Sequence, residues 1–395
     1  MLVRRLQLHN FRNYRESDLE LGPGRQLILG ANAQGKSNLL EAVYLLATAR
    51  SARAGLDGEL IGREETTPEQ PPFARLQATV ERQADSVRLE ALVVGSAAVG
   101  AAATRRASKR LRVNGLPRRA IDFVGQLRAV LFTADDLEIV AGGPPDRRLY
   151  VDTAISQLDR AYYGALQRYG RIVQQRNATL RRIREGVAGA DELALWDGGL
   201  TKEGSYILAA RLRTVDRLAE LAEAAHRELS GGARESLQVA YAPRLGEEWR
   251  QLLPADRDPA ALAPVFAAAL AAQRRREVAA GVSLVGPHRD DLALTLNGVS
   301  AAAFASRAQV RTASLALRLA EARLIAEASN DSPVLLLDDI VSELDEKRRR
   351  SVLEGIADFD QVWFTATDTG LLPPAFVAGC TAHRVVAGSL TTAVF

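Results

Sequence analysis

Gly30, Gly35, Lys36 and Ser37 stand at the spacing Gly-x-x-x-x-Gly-Lys-Ser within QLILGANAQGKSNLLEAVYLL. A match at all four fixed positions arises by chance on the order of once in a hundred chains this long, with Gly at about 7% of residues. Chemically it describes a loop whose backbone N–H groups, here from Ala33 to Ser37, turn inward around the phosphates of a nucleotide. The start of the following helix adds positive potential. Lys36 would reach the β- and γ-phosphates, and Ser37 would place a hydroxyl on Mg²⁺. The nucleotide-binding stretch is therefore expected to comprise Gly30, Ala31, Asn32, Ala33, Gln34, Gly35, Lys36, Ser37 and Asn38. An unliganded Gly-rich turn is the plain structural alternative, and the flanking strand and helix argue against it.

Some three hundred positions later, PVLLLDDIVSELD describes a short buried strand ending in Asp338 and Asp339. Ligands of an open parallel sheet sit at the carboxyl ends of its strands. Asp338 would hold Mg²⁺ through water, and Asp339 would lie beside the γ-phosphate to polarise a water molecule. In isolation, two acids at a strand end are an ordinary solvated feature; with a phosphate loop in the same chain they become the second half of a site. A third stretch, ASRAQVRTASLALRLAEARLI, places Ser306 at the start of a long amphipathic helix, where it reads as an N-cap.

These side chains need a scaffold. The chain has 395 residues, 47% hydrophobic and 25% charged, enough for two or three globular domains. No apolar run is long enough to span a membrane, and the single cysteine, Cys380, fits a reducing compartment; a cytosolic location is expected. The strand, Gly-rich turn and helix at 25–49 give the phosphate loop its context, and the segments at 74–83 and 86–94 read as paired strands. Helical periodicity runs through 150–183 and again through 201–229, two stretches able to form an antiparallel pair. The proline-broken region at 241–264 reads as connections. VSLVGPHRDDLALTLNG reads as two strands around a turn, followed by a helix at 306–328 and a closing strand–helix–strand. An α/β fold thus opens, is interrupted by a mostly helical insertion, and closes.

The net charge of +3 permits a polyanionic partner without demanding one. Arg105, Arg106, Lys109, Arg110 and Arg112, at the end of an Ala/Gly-rich loop spanning 95–110, are the candidate phosphate-contacting patch, salt-sensitive and blind to sequence. A solvated face is the alternative for any one basic cluster. His288, in GPHRDD, reads as a turn residue rather than a metal ligand, having no second histidine nearby. Trp196, Trp249 and Trp363 read as core or interface.

Taken in order, LHNFRNY, GANAQGKSNLLEAVYLLATARS, RVNG, DRRLYVD, QRN, GPHRDDLALTLNG, QVRTASLALRLAEA, LLLDDIVSELD and FTATD resemble the RecF family of bacterial recombination mediators, relatives of the chromosome-maintenance ATPases. The matching stretches run from residue 8 to residue 368. The resemblance implies an ABC-type P-loop ATPase head, formed by 1–124 and 326–395 and interrupted by a mostly helical lid at 125–325. It implies a slow, DNA-stimulated ATPase using ATP and Mg²⁺, dimerising on ATP, binding duplex and gapped DNA at duplex/single-strand junctions, and working with RecO and RecR to load recombinase. By position it makes Lys36 and Asp339 catalytic and Ser37 and Asp338 the magnesium ligands. Ser306 would meet the nucleotide of a second subunit, Asp345 would lie at the dimer seam, and Asn10 and Arg12 would face the nucleotide.

The chain departs from that family pattern at Ala308, where a glycine is usual, at Val310, usually glutamine, and at Ala134, usually proline. A methyl group at 308 reduces the clearance for a phosphate. Two alternatives follow: a nucleotide- and DNA-binding module without turnover, and a transporter-type ATPase subunit, which lacks its expected glutamine and histidine loops here.

Overall fold

The fold is given by a computed structural model, which describes residues 1–62, 71–95, 107–231, 235–245 and 257–393. The chain divides into two compact units, Met1–Asp136 with Ala225–Ala233 and Leu315–Phe395, and Leu137–Ala224 with Arg234–Ser314. The strand Ala129–Phe132 pairs in parallel with Val334–Leu337 inside the first unit.

The first unit holds two six-stranded sheets. One is antiparallel and contains β1 (Leu2–Phe11), β2 (Tyr14–Glu20), β4 (Phe73–Glu81), β5 (Ser86–Val94), β6 (Ser108–Val113) and β7 (Leu116–Arg118), in the order β2-β1-β4-β5-β6-β7. Its strands alternate, as in β5, where Val87, Leu89, Ala91 and Val93 are buried and Ser86 and Arg88 exposed, the pattern of a sheet with one covered face. The second sheet contains β3 (Gly24–Leu29), β8 (Ala129–Phe132), β12 (Val334–Leu337), β13 (Gln361–Ala366), β14 (Cys380–Val386) and β15 (Ser389–Ala393), in the order β15-β14-β3-β13-β12-β8. Here β3, β13, β12 and β8 pair in parallel, and VLLL and QVWFTA are buried throughout, as strands covered on both faces must be. Helix α1 (Lys36–Thr48) touches strands of both sheets and buries Leu39, Leu40, Val43, Leu45 and Leu46.

Parallel β3, β13 and β12 bring their carboxyl ends to one edge. The phosphate loop leaves β3, Asp338 follows β12, and Thr365 lies near the end of β13. Residues 301 positions apart in the chain meet there.

The second unit contains α2 (Pro144–Leu158), α3 (Arg160–Arg184), most of α4 (Ala194–Leu229), α5 (Pro259–Ala280), and a three-stranded sheet of β9 (Leu237–Ala242), β10 (Asp291–Leu296) and β11 (Val299–Ser300). Bonds Arg168–Glu203, Thr179–Trp196 and Arg176–Asp197 fix α3 and α4 as the expected antiparallel pair.

Four local expectations are corrected. The helical stretch at 150–183 is two helices, because Asp159 caps the second by accepting from Tyr162 N at 3.0 Å. The region read as connections contains the start of α5, since Asp258 and Pro259 begin a helix rather than break one. Within 282–298 only β10 is a strand; its partners β9 and β11 lie outside that stretch, and Gly286, at φ +118°, turns the chain where a Cβ would meet Tyr169 Oη at 2.3 Å. Residues 108–110, read as loop, open β6. Trp363 is fully buried and Trp196 donates to Thr179 Oγ1, whereas Trp249 and the loop at 63–70 lie outside the described residues.

Candidate nucleotide-binding site

The loop between β3 and α1 is shaped by steric exclusion at its two glycines. A Cβ on Gly30 would meet the Val385 carbonyl oxygen at 2.5 Å; one on Gly35, at φ +116°, would meet Asn13 Nδ2 at 2.6 Å. Two turns brace the loop from either side. Asn13, in the β1–β2 turn, donates to Gln34 O at 2.8 Å and accepts from Asn38 Nδ2 at 2.8 Å. In the β14–β15 turn, Ala387 N donates to Gln34 Oε1 at 2.7 Å and Gly388 N to Gln34 O at 3.1 Å. Tyr14 Oη donates to Gly35 O at 2.9 Å. Ala31, Asn32 and Ala33 are exposed at the crest of the loop.

Lys36 Nζ donates to Gly30 O at 2.6 Å and Ala31 O at 3.1 Å, so two of its three donors are directed along the loop. Burial lowers its pKa, and the neighbouring Asp339 and Asp338 oppose that shift. Ser37 Oγ donates to Asp338 Oδ1 at 2.8 Å. Thr365 Oγ1 donates to the same oxygen at 2.9 Å while accepting from Asp339 N at 2.8 Å. Asp339 has left-handed backbone, φ +52°, which carries it out of the strand direction beyond Asp338. The structure thus brings Lys36, Ser37, Asp338 and Asp339 together, as the sequence predicts.

The hydroxyl of Ser37 and the carboxylate of Asp338 are hard oxygen donors, of the type Mg²⁺ selects, and they are adjacent. Among the described residues no group of three His, Cys, Asp or Glu could hold a metal ion. One carboxylate and one hydroxyl leave most of an octahedron to phosphate oxygens and water, the usual manner of holding Mg²⁺ with a nucleotide.

Asn10, Arg12, Asn13, Tyr14, Arg15, Asn38, Glu59 and Ile61 line a cavity of about 590 Å³ that reaches the loop through Asn38. Asn10 donates to Phe73 O at 2.9 Å, and Arg12 pairs with the buried Glu41 through contacts of 2.9 and 2.8 Å. Both side chains therefore shape the wall of this cavity. Sequence reasoning gave neither Asn13 nor Thr365 a role in the site. The one polar hydroxyl in the otherwise apolar run VWFTA was the available signal for Thr365; nothing distinguished Asn13 from a common turn residue.

Ser306 and Asp345 have local roles. Ser306 caps α6 (Arg307–Ser329): its N donates to Gln309 Oε1 at 2.9 Å and its Oγ accepts from Gln309 N at 3.3 Å, a reciprocal capping box. Ser306, Arg307 and Ala308 are exposed at that helix start. Asp345 caps α7 (Glu346–Gly355), accepting from Arg348 N at 2.8 Å, a bond that holds its carboxyl below the ordinary range. In the basic patch, Lys109 pairs with Asp57 at 2.6 Å and Arg112 with Glu90 at 3.1 Å, Arg110 is exposed, and Arg105 and Arg106 lie outside the described residues. His288 is held between Tyr169 Oη, 2.8 Å from Nδ1, and Ser283 O, 3.2 Å from Nε2; burial pushes its pKa down to about 4.

Comparison with known proteins places this geometry. The family described as RecF/RecN/SMC N terminal domain matches residues 2–373. The chain is 44% identical to the DNA replication and repair protein RecF of Herpetosiphon aurantiacus, covering 98% of each chain, and 44% identical to that of Chloroflexus aurantiacus, covering 99% of each. A solved structure of the recombination mediator protein RecF with ATP, in the RecFOR pathway, superposes with a TM-score of 0.84 at 28% identity, covering 99% of each chain. An SMC head bound to the C-terminal winged-helix domain of ScpA shares the fold, at TM-score 0.52 and 15% identity. A phosphate loop and an aspartate strand joined across almost the whole chain, with full-length relatives of matching sequence, have one family in common: this chain belongs to the RecF family of ABC-like, SMC-related ATPases.

Proposed function

We propose that this chain is an ATP-dependent DNA-binding protein of recombinational repair and replication-fork maintenance. The observation that carries the reading is the 2.8 Å contact between Ser37 Oγ and Asp338 Oδ1, which joins the phosphate loop to the aspartate strand. Lys36 would neutralise phosphate charge, and Ser37 and Asp338 would hold Mg²⁺. That ion would supply further neutralisation of phosphate charge. Asp339, at the γ-phosphate end, polarises water, and hydrolysis is slow. Family relatives named as RecF, and a RecF structure placed in the RecFOR pathway, support RecO and RecR as partners. Among the described residues no helix is long and apolar enough to cross a membrane.

ATP would join two copies, with the exposed helix start at Ser306 presented to the nucleotide of the second copy. The methyl of Ala308, exposed at the second helical residue, would stand at that contact and reduce its clearance.

Duplex DNA would be held by its phosphates. The lid offers Arg181, Arg184, Arg275 and Arg276 as contacts, all exposed; Arg110, exposed in the first unit, is a separate candidate. Arg184 Nη1 donates to Ala280 O at 3.4 Å, which brings the ends of α3 and α5 together. Fluorescence anisotropy of labelled duplex and of duplex with a single-stranded gap tests the reading. The expected result is tighter binding with Mg-ATP than with Mg-ADP or none, and a steep salt dependence. Replacing the four lid arginines by alanine should flatten the log–log salt slope by up to about four. Binding indifferent to nucleotide would sink the reading.

A further inference from the structure

Thr365 is the one hydroxyl in a strand whose other positions beside Asp338 are apolar, and its side chain is 1% exposed. Register places it there: Leu337 pairs with Phe364 in the β12–β13 ladder, so the next residues, Asp338 and Thr365, stand side by side. A hydroxyl has one proton. Because Asp339 N–H points at Thr365 Oγ1 at 2.8 Å, the oxygen is the acceptor there, and its own proton must go elsewhere. Asp338 Oδ1 at 2.9 Å takes it in preference to Leu337 O at 3.5 Å, being nearer and charged.

Both good bonds of this buried hydroxyl therefore end on the aspartate pair. A strand at this place needs only a β-branched side chain, and valine would fill the same space without the cost of burying a hydroxyl. One carboxylate oxygen of Asp338 is fixed by Thr365 and Ser37 together. The left-handed turn at Asp339 is fixed by the same Thr365 oxygen. The two acids are thus set in relation to one another through a neutral group on the neighbouring strand.

We infer that Thr365 is a positioning residue that presents Asp338 to the nucleotide-bound Mg²⁺ and holds Asp339 in place for hydrolysis. The inference rests on the Mg-ATP reading of the site and adds to it the device that spaces its two carboxylates. Thr365 touches neither nucleotide nor cation; it acts through the aspartates.

The test compares Thr365→Val and Thr365→Ser with the unaltered chain. A fluorescent ATP analogue is held at fixed concentration and Mg²⁺ is titrated, with ATP turnover measured in parallel. Thr365→Val should raise the half-saturating Mg²⁺ about tenfold, the scale of one hydrogen bond to a charged group. It should lower kcat by a similar factor while leaving KM within about twofold, and Thr365→Ser should restore both. Melting temperatures of the variants show that the fold is intact. A valine variant with unchanged Mg²⁺ response would overturn the inference, as would a serine variant as defective as valine, since volume rather than the hydroxyl would then matter. If the unaltered chain shows no Mg²⁺ response, the Mg-ATP reading itself fails, and this inference with it.

Discussion

Two regions of this molecule are rich in charge, and they use it differently. At the phosphate loop, Lys36 is satisfied by two backbone carbonyls and Asp338 by two neutral hydroxyls. In the lid unit, charges close on one another. Arg176, fully buried, meets Glu277 at 2.6 Å and Asp197 at 2.8 Å and also donates to Ser283. Arg211 is held by Asp152, with Tyr241 and Pro287 O beside it, and Asp291 by Arg147. Neutral partners can be exchanged for phosphate and cation at little cost. A buried ion pair that loses one member leaves an uncompensated charge. The first region is arranged for a ligand, and the second for its own shape.

Breaking each region should give opposite signatures. Arg176→Ala strands Glu277 in the core and should cost about 3–5 kcal/mol, a fall in melting temperature of roughly 10 °C. Nucleotide affinity, measured by titration with a fluorescent ATP analogue, should stay within about twofold. Lys36→Ala should do the reverse. It should weaken ATP on the order of ten- to a hundredfold, as the loss of charge-assisted bonds predicts, with a melting temperature of the free protein moved by no more than about 2 °C.

The lid should also be the acid-sensitive region. His288 is neutral in the fold, with a pKa depressed from 6.5 to about 4 by burial. The unfolded chain therefore binds the extra proton first as pH falls. The stabilisation is fully present above about pH 6.5 and is lost progressively toward pH 4, at most about 3 kcal/mol. Denaturant midpoints across that window should fall, and His288→Gln should flatten the curve. The smallest effect is expected at Asp345, where Asp345→Ala removes one helix cap and costs about 1 kcal/mol, read as a shift of a few degrees in melting temperature.

The same contrast explains how much of the molecule was legible in its sequence. GANAQGKS and LLLDD were readable because fixed spacing, a flanking strand and a flanking helix all point to one chemistry, and the fold then brings Ser37 to Asp338. QRN and GPHRDD carry residues just as chemical in type, and single residues there gave no sign that Arg176 and Asp290 lie in the core. Partners such as Glu277 and Tyr241 are set by tertiary packing and leave no local pattern. Helix α5 was hidden by its prolines, which mark a helix start as readily as a break. Strand β9 was hidden because its partner lies across α5. Asn13 and the β14–β15 turn brace the phosphate loop from distant parts of the chain, and only the sheet order reveals them.

The most direct test of the account is the solution mass of the protein, by light scattering, with Mg-ATP, with Mg-ADP and without nucleotide, using Lys36→Ala as control. The account predicts a mass near twice 42.7 kDa with Mg-ATP alone, and a monomer in the other states and in the Lys36→Ala variant. A monomer in every state, with ATP binding demonstrated separately, would contradict the ATP-joined dimer and leave a DNA-binding module that carries nucleotide without being switched by it.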